Sequence, residues 1–275
     1  MKVGVYDLNG EKKEEIELPA FFNFLVRPDL IWRAYLAVLS KTFQPKGKSP
    51  AGDKKHVVDS PGTGYDMSRV SRTLGGFGTA RFIALAVGGR RVRAPKSDKV
   101  IVEKINKKEK INAVLSAIAA TADPVLVQMR GHQLGTIREL PVIVSDEFED
   151  LTKTRDVQST LYNLGLEEEL DRAKERKRVR AGKGKRRGRK YKRRKGPLIV
   201  VSETDASVIR AARNIEGIDV VPVEKLSILH LAPGGHPGRL TIWTKKALIN
   251  FQEKINKVSE NLRNRSRKDL LKASL

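Results

Sequence analysis

The chain has 275 residues, a net charge of +23, a pI of about 10.2, 39% hydrophobic residues and no cysteine. The absence of cysteine excludes disulfides, thiolate metal sites and cysteine nucleophiles. No apolar run reaches the roughly 20 residues that span a bilayer, and the N-terminus lacks a signal-peptide core, so we expect a cytoplasmic protein with no membrane partner.

The first 42 residues predict a β-hairpin and then a helix. Val3 and Val5 alternate with polar or small residues, and Asn9-Gly10 is a tight-turn dipeptide. Pro28 then opens a segment whose apolar residues follow helical spacing. These residues are Leu30, Ile31, Ala34, Tyr35, Val38 and Leu39.

Residues 43–98 show no sustained periodicity and contain nine glycines and four prolines. Loops longer than about 12–15 residues are uncommon in compact domains and are usually functional or disordered. The span retains Val57, Tyr65, Phe82 and other apolar residues, more than a solvated tether needs. We therefore predict a long extended loop inserted into a globular domain formed by residues 1–42 and 99–260.

From residue 106 onwards, helical segments alternate with short strands rich in Val and Ile. A helix over 106–121 is broken at Asp123-Pro124, which opens a second short helix, and the strands include 140–146 and 197–203. A charged helix runs into a basic stretch, and Asp205 is the expected cap of a later helix. This alternation predicts an α/β fold with a mostly parallel sheet and helices on both faces.

The positive charge is concentrated in two segments. Residues 172–195 hold sixteen Lys or Arg and one acid, Glu175, and residues 43–98 hold eleven Lys or Arg and four acids. The remainder of the chain is nearly neutral. We therefore predict a basic extension over 172–196 and a basic C-terminal tail over 261–275, and this distribution favours a polyanionic partner.

Basic, glycine-containing segments are suited to folded RNA. Lys and Arg neutralise phosphates and release counterions, and glycines let the backbone approach closely. Aromatic residues make up only 5% of the chain, so base stacking is expected to contribute little. The predicted RNA-binding residues are Lys46, Lys48, Lys54, Lys55, Arg69, Arg72, Gly75, Gly76, Arg81, Gly88, Gly89, Arg90, Arg91, Arg93, Lys96, Lys183, Lys185, Arg186, Arg187, Arg189, Lys190, Lys192, Arg193, Arg194 and Lys195.

The sequence shows no catalytic, metal or cofactor site. "GGFGTAR" (75–81) has Arg81 where a dinucleotide fingerprint has its third glycine, and "GKGKRRG" (182–188) lacks the Lys-Ser/Thr ending of a phosphate loop. The four histidines are scattered, with no zinc-hydrolase spacing. The acids of "SDEFED" (145–150) fit a strand-to-helix loop with a cap. The alternative is an RNA-modifying or nucleotide-binding enzyme on a Rossmann-like sheet with basic RNA-binding appendages.

Four stretches resemble one family, the ribosomal large-subunit protein four family in its archaeal and eukaryotic branch. They are residues 57–96, with a Gly-rich turn and "VGGRR" before Pro95-Lys96; the helix at 106–121; "GHQLG" at 131–135; and "GPLIVVSETDASVIRAARNIEGIDV" at 196–220. The resemblance covers roughly residues 1–250. Tyr65, Asp66 and Met67 depart from the more basic, glycine-rich step expected there.

The resemblance implies a structural, rRNA-binding protein of the large ribosomal subunit, located in the cytoplasm within the ribosome. It implies neighbouring ribosomal proteins as partners and a loop that lines the polypeptide exit tunnel. The midpoint of the loop, around Arg69 to Phe77, is its predicted tip and would contact the nascent polypeptide.

Overall fold

The structure is a computed structural model that describes residues 1–257 except Pro50, Asp53, Gly76 and Arg138. The predicted tail at 261–275 and the predicted RNA contact at Gly76 therefore lie outside the described residues. The chain divides into two compact units. The first combines residues 1–39 with the chain from residue 104 onwards, and the second is residues 40–103.

The described strands are numbered in chain order as β1 Lys2–Tyr6, β2 Lys12–Glu17, β3 Val58–Asp59, β4 Arg72–Thr73, β5 Val142–Val144, β6 Arg178–Val179, β7 Tyr191–Lys192, β8 Leu198–Val201, β9 Asp219–Pro222 and β10 Thr241–Thr244. The described helices are α1 Pro28–Ser40, α2 Lys107–Ala122, α3 Pro124–Met129, α4 Thr154–Asn163, α5 Glu167–Glu175, α6 Val208–Ala212, α7 Ile228–Leu231 and α8, residues 245–257.

A six-stranded sheet in the order β2-β1-β5-β10-β8-β9 forms the centre of the first unit. All neighbouring strands are parallel except β1 and β2, which form the predicted antiparallel hairpin. Gly10 adopts φ +81° in the connecting turn, a left-handed conformation that glycine adopts readily. The mostly parallel α/β fold predicted from the sequence is confirmed.

Helices cover both faces of this sheet. Successive residues of a strand point to opposite sides of the sheet, so each face has its own hydrophobic core. One core contains Val5, Ile143, Val200 and Trp243 beneath α1, α2, α7 and α8. The other packs the alternate strand residues against α3, α4, α5 and α6. Trp243 has no solvent-exposed surface. Strands β5, β8 and β10 are buried along their whole length, as the Val- and Ile-rich sequence runs of β5 and β8 predict.

The prediction for Asp123-Pro124 is confirmed and that for Asp205 is wrong. The Asp123 side chain accepts a hydrogen bond of 2.9 Å from the Val125 N–H and begins α3. In contrast, α6 begins after Ser207 without a side-chain cap, and Asp205 lies in the preceding turn. The helix is five residues long, and backbone hydrogen bonds such as Arg210 N–H to Ser207 O form its first turn.

The second unit contains little regular structure. β3 and β4 pair antiparallel, and Arg72 also bridges to Ala80. The Glu103 N–H donates to Ser40 Oγ at 3.0 Å and the Lys48 N–H to Pro95 O at 3.0 Å, so the two ends of this unit lie together. None of the described residues from 41 to 103 is buried. This unit therefore has no hydrophobic core of its own among its described residues.

Replacing residues 46–96 with a short Gly-Ser linker will leave a cooperative thermal unfolding transition. The reason is that both hydrophobic cores are built from residues of the first unit, and loops without buried residues contribute little to the free energy of unfolding. Circular dichroism at 222 nm during heating measures the transition. A broad, non-cooperative loss of signal would show that residues 46–96 are part of the folding unit.

Candidate nucleic-acid interface

The segment between α5 and β8 forms a basic hairpin, defined here as residues 176–196. Arg178 pairs with Lys192 and Val179 with Tyr191, and the Arg180 N–H donates to Lys190 O at 2.8 Å. A single 3-10 turn, Lys183–Arg186, forms the tip. All of the hairpin's predicted RNA-binding side chains are exposed: Lys183, Lys185, Arg186, Arg187, Arg189, Lys190, Lys192, Arg193, Arg194 and Lys195.

Acidic residues distant in sequence fix the two ends of the basic hairpin. Where the chain enters, Lys177 forms an ion pair with Glu216 at 2.5 Å. Where it leaves, Lys195 contacts Asp219 at 2.8 Å, and the fully buried Arg239 contacts the same carboxylate at 2.7 Å. Lys195, predicted to bind RNA, is thus already paired. The cations between these anchors remain available to a ligand.

A buried cluster of His132, Glu169 and Arg172 supports the helix that leads into the basic hairpin. Glu169 Oε1 lies 2.7 Å from His132 Nδ1 and 2.6 Å from Arg172 Nη2, and Arg172 also donates to Lys195 O at 3.1 Å. Burial lowers the pKa of His132 against the opposing effect of Glu169. Burial would raise the pKa of Glu169, but hydrogen bonds from His132 and Arg172 hold it below its ordinary value. The cluster therefore holds an ionised Glu169 and a neutral His132 at neutral pH.

The free energy of unfolding will fall as the pH is lowered from 7 to 5.5. Burial lowers the pKa of His132 and of His230 in the folded protein, so the unfolded chain, with histidine pKa values of about 6.5, takes up protons first. This stabilisation is complete above about pH 6.5 and is lost as the pH falls towards the pKa values of the folded protein. For each histidine, the free energy of unfolding falls by at most about 1.4 kcal/mol per pH unit. Urea denaturation at several pH values measures the slope.

The variant His132→Gln is the control for this pH dependence. Its slope between pH 7 and 5.5 will be shallower than that of the wild type, because one of the two histidines whose pKa is lowered by burial is gone. Identical slopes in the two proteins would exclude His132 as the source.

The predicted RNA-binding residues of the second unit differ in exposure. Lys48, Arg72, Arg81 and Gly89 are partly buried. The remaining described ones are exposed, namely Lys46, Lys54, Lys55, Arg69, Gly75, Gly88, Arg90, Arg91, Arg93 and Lys96.

Arg72 and Arg81 make hydrogen bonds within the second unit. Arg72 donates to Gly78 O at 3.0 Å and to Ser68 Oγ at 3.3 Å, and Arg81 donates to Val87 O at 3.1 Å. The Arg72 guanidinium thus organises the turn that follows β4, and the Arg81 guanidinium closes the next loop onto Val87. The sequence does not indicate which groups these arginines contact, because the acceptors are mostly backbone carbonyls, and every residue has one.

The predicted loop tip is a turn closed between Thr73 and Thr79. The Thr73 N–H donates to Thr79 O at 3.1 Å, and Gly75 and Gly78 adopt φ of +80° and +56°. The side chain of Phe77 is fully exposed and that of Leu74 is exposed as well. The turn therefore presents two apolar side chains at its surface.

Residues 46–96 and 176–196 will show weak amide protection in the RNA-free protein. Their strands are two residues long, and solvent-exposed backbone hydrogen bonds open readily. Hydrogen exchange read by mass spectrometry measures this, with β8 and β10 as the protected internal reference. Protection of both spans equal to that of β8 would contradict the prediction.

Two acids of the "SDEFED" stretch have structural roles. Glu149 accepts hydrogen bonds from the Ser202 N–H at 2.8 Å and from the Thr244 hydroxyl at 2.5 Å, and Asp146 accepts from the Lys246 N–H at 2.7 Å. These carboxylates therefore hold strand ends and the start of α8. Within the described residues, no group of three His, Asp or Glu side chains is placed to hold a metal ion.

The glycine motifs do not form nucleotide-binding loops. Residues 182–188 form the tip of the basic hairpin, and the second motif ends beyond the turn closed between Thr73 and Thr79, so neither motif leads from a strand into an α-helix. Over the part of the chain that the structure describes, no helix has the length and apolar character to cross a bilayer.

Comparison with known proteins identifies a consistent set of relatives. A model of the ribosomal protein L4/L1 family matches residues 16–254. The large ribosomal subunit protein uL4 of Methanocaldococcus jannaschii is 47% identical over 254 residues, which is 92% of this chain and 99% of the relative. Those of Sulfolobus acidocaldarius and Methanococcus aeolicus are 47% and 45% identical, over 90% and 94% of this chain and 92% and 99% of the relatives. The family match includes both basic segments.

Proposed function

Because the chain belongs to the ribosomal protein L4/L1 family, we propose that it is a structural protein of the large ribosomal subunit. It binds ribosomal RNA through the basic hairpin and the second unit, and it acts in the cytoplasm within the ribosome. Ribosomal RNA and neighbouring ribosomal proteins are its partners. The alternative of an RNA-modifying or nucleotide-binding enzyme is not supported, since the chain's relatives are ribosomal proteins and Asp146 and Glu149, two acids that follow β5, have structural roles.

The observation that carries this proposal is the exposure of the cations between Lys183 and Arg194, in a hairpin whose ends are fixed by Glu216 and Asp219. Repulsion among like charges makes such an arrangement unfavourable unless a polyanion compensates it. RNA phosphates are such a polyanion, and each neutralised phosphate releases condensed counterions. The arginines add bidentate phosphate contacts.

For the second unit we propose insertion into ribosomal RNA, with the turn at 73–79 beside the nascent polypeptide in the exit tunnel. Arg69 is exposed and can bind phosphate, whereas Arg72 shapes the turn. Glycines at 75 and 78 keep the turn narrow. The exposed Leu74 and Phe77 offer apolar surface to a passing chain.

One measurement tests the ribosomal role, and a second tests the position of the turn beside the nascent polypeptide. Tagged protein expressed in cells will co-sediment with large subunits in near-stoichiometric amounts, and recovery only in the soluble fraction would contradict a ribosomal role. A photo-reactive amino acid at Leu74 will cross-link to a stalled nascent chain. Cross-links to ribosomal RNA alone would place the turn away from the tunnel and leave the RNA-binding role intact.

A further inference from the structure

A basic cleft of about 530 Å³ lies on the first unit beside the root of the basic hairpin. We call it the Arg130 cleft, and its polar lining consists of the side chains of Arg130, His132, Arg172, Arg194, Lys195 and His236. In the described part of the chain, no Asp or Glu belongs to its lining. It brings together residues from α3, α5, the end of the basic hairpin and the turn before β10, which lie far apart in the sequence.

The cations around this cleft differ in whether an acidic side chain neutralises their charge. Arg172 is paired with Glu169, and Lys195 is paired with Asp219. Arg130 instead donates to the carbonyl oxygens of Pro233 at 2.6 Å, Pro237 at 3.4 Å and His236. The described residues include no carboxylate bonded to Arg130. Its guanidinium is therefore held in a fixed position while its charge is not neutralised.

The surroundings of Arg130 make that charge unfavourable. Burial, together with the nearby Arg239 and Arg172, lowers the pKa of Arg130 to about 10, so the group remains a cation at neutral pH. A partly desolvated cation without a counter-charge raises the free energy of the folded state. An anion bound in the cleft would remove this cost, and the planar guanidinium fork matches the geometry of phosphate oxygens.

An exposed aromatic ring lies next to this cleft. The Trp32 side chain is 48% exposed, and its ring centroid is 6.5 Å from that of His236. Gly235 has φ +79°, and a Cβ there would collide with the indole. Glycine at this position therefore lets the turn at 233–237 lie against Trp32. An exposed indole beside a cationic cleft is suited to the base of a nucleotide, because every base presents a π face.

We propose that the Arg130 cleft binds a phosphate of a single-stranded RNA segment, with Trp32 stacking on the adjacent base. The site rests on the proposed RNA-binding function but lies on the globular unit, apart from the exposed cations of the hairpin tip. Arg130 and Arg194 contact the phosphate. Lys195 and Arg172, which keep their own acids, supply the surrounding positive potential.

Intrinsic tryptophan fluorescence tests this site directly, since the chain has two tryptophans and the other, Trp243, is fully buried. Titration of the full chain with an eight-nucleotide oligouridylate will quench part of the emission in a saturable way. The variant Trp32→Phe will lose this quenching. Absence of quenching in the wild type at saturating oligonucleotide would overturn the proposal.

Charge variants give the second arm of the test. Arg130 is bonded into the fold, so the exposed Arg194 is the residue to change. Arg194→Gln will weaken the quenching affinity about tenfold, as expected for loss of a charged hydrogen bond, and will lower the slope of log affinity against log salt by about 0.7. The matched control is Arg155→Gln on α4, an exposed arginine outside the cleft, which will leave both values unchanged. Equal behaviour of the two variants would overturn the proposal.

Two further measurements distinguish an RNA site from an acidic-peptide site and separate the cleft from the rest of the RNA-binding surface. Quenching by a glutamate decapeptide but not by oligouridylate would assign the cleft to an acidic protein segment and overturn the RNA site. Filter binding of large-subunit ribosomal RNA is measured in parallel. If that binding persists while the fluorescence tests fail, only the cleft proposal is wrong, whereas loss of all ribosomal RNA binding would contradict the proposed function itself.

Discussion

Changing five cations at the tip of the basic hairpin to glutamine will lower the affinity for large-subunit ribosomal RNA about a thousandfold or more at 100 mM salt. The residues are Lys183, Lys185, Arg186, Arg187 and Arg189. They are exposed and close together, and at this salt each phosphate contact contributes close to a factor of ten through counterion release. The slope of log affinity against log salt will also become shallower by about four. Filter binding between 50 and 200 mM salt measures both quantities.

A matched variant controls for the loss of net charge. It changes five exposed cations elsewhere on the first unit to glutamine, namely Lys107, Lys153, Arg155, Lys225 and Lys246. Both variants have a net charge lower by five, but the control removes no cation of the hairpin and will lose less than tenfold in affinity. Equal losses in the two variants would mean that RNA responds to the total charge of the protein and that the hairpin has no special role.

The second large effect concerns stability. Glu169→Gln will lower the free energy of unfolding by about 3–5 kcal/mol, the usual cost of removing one partner of a buried ion pair. Glu169 has no exposed surface, and its carboxylate is the common partner of His132, Arg172 and the Gln133 N–H. Without it, the Arg172 cation stays buried with no counter-charge. Urea denaturation at pH 7 measures the change.

The neighbouring variant Glu168→Gln separates this effect from that of the helix dipole. Both acids lie in the first turn of α5, where a negative charge contributes about 0.3–1 kcal/mol. Glu168 is exposed, so its replacement will cost no more than that. A loss below 1 kcal/mol for Glu169→Gln as well would show that the buried cluster adds nothing beyond the dipole term.

Local patterns in the sequence were sufficient for most of the fold. The Asn9-Gly10 turn, the break at Asp123-Pro124 and the apolar runs of β5 and β8 each depend on neighbours within a few residues, and all are confirmed. The prediction for Asp205 failed because α6 begins further along the chain, after Ser207, and starts without a side-chain cap. A capping residue type is compatible with several turn geometries, and the sequence alone does not distinguish among them.

The candidate interface was predictable in location but not in detail. The concentration of charge locates the basic hairpin, because a run of cations within one segment can be recognised in the sequence without knowing the fold. Pairing of Lys195 with Asp219, 24 positions away, depends on the neighbouring strands of the sheet. The carbonyl partners of Arg72 and Arg130 depend on backbone geometry. The Arg130 cleft therefore becomes visible only once the fold assembles it.

A cryo-electron microscopy map of large ribosomal subunits that contain this chain tests the central claim most directly. We predict that the hairpin cations from Lys183 to Arg194 and the exposed cations of residues 46–96 will lie within hydrogen-bond distance of ribosomal RNA phosphates. A map in which both segments face solvent, with the RNA contacts made by other surfaces of the protein, would contradict the account.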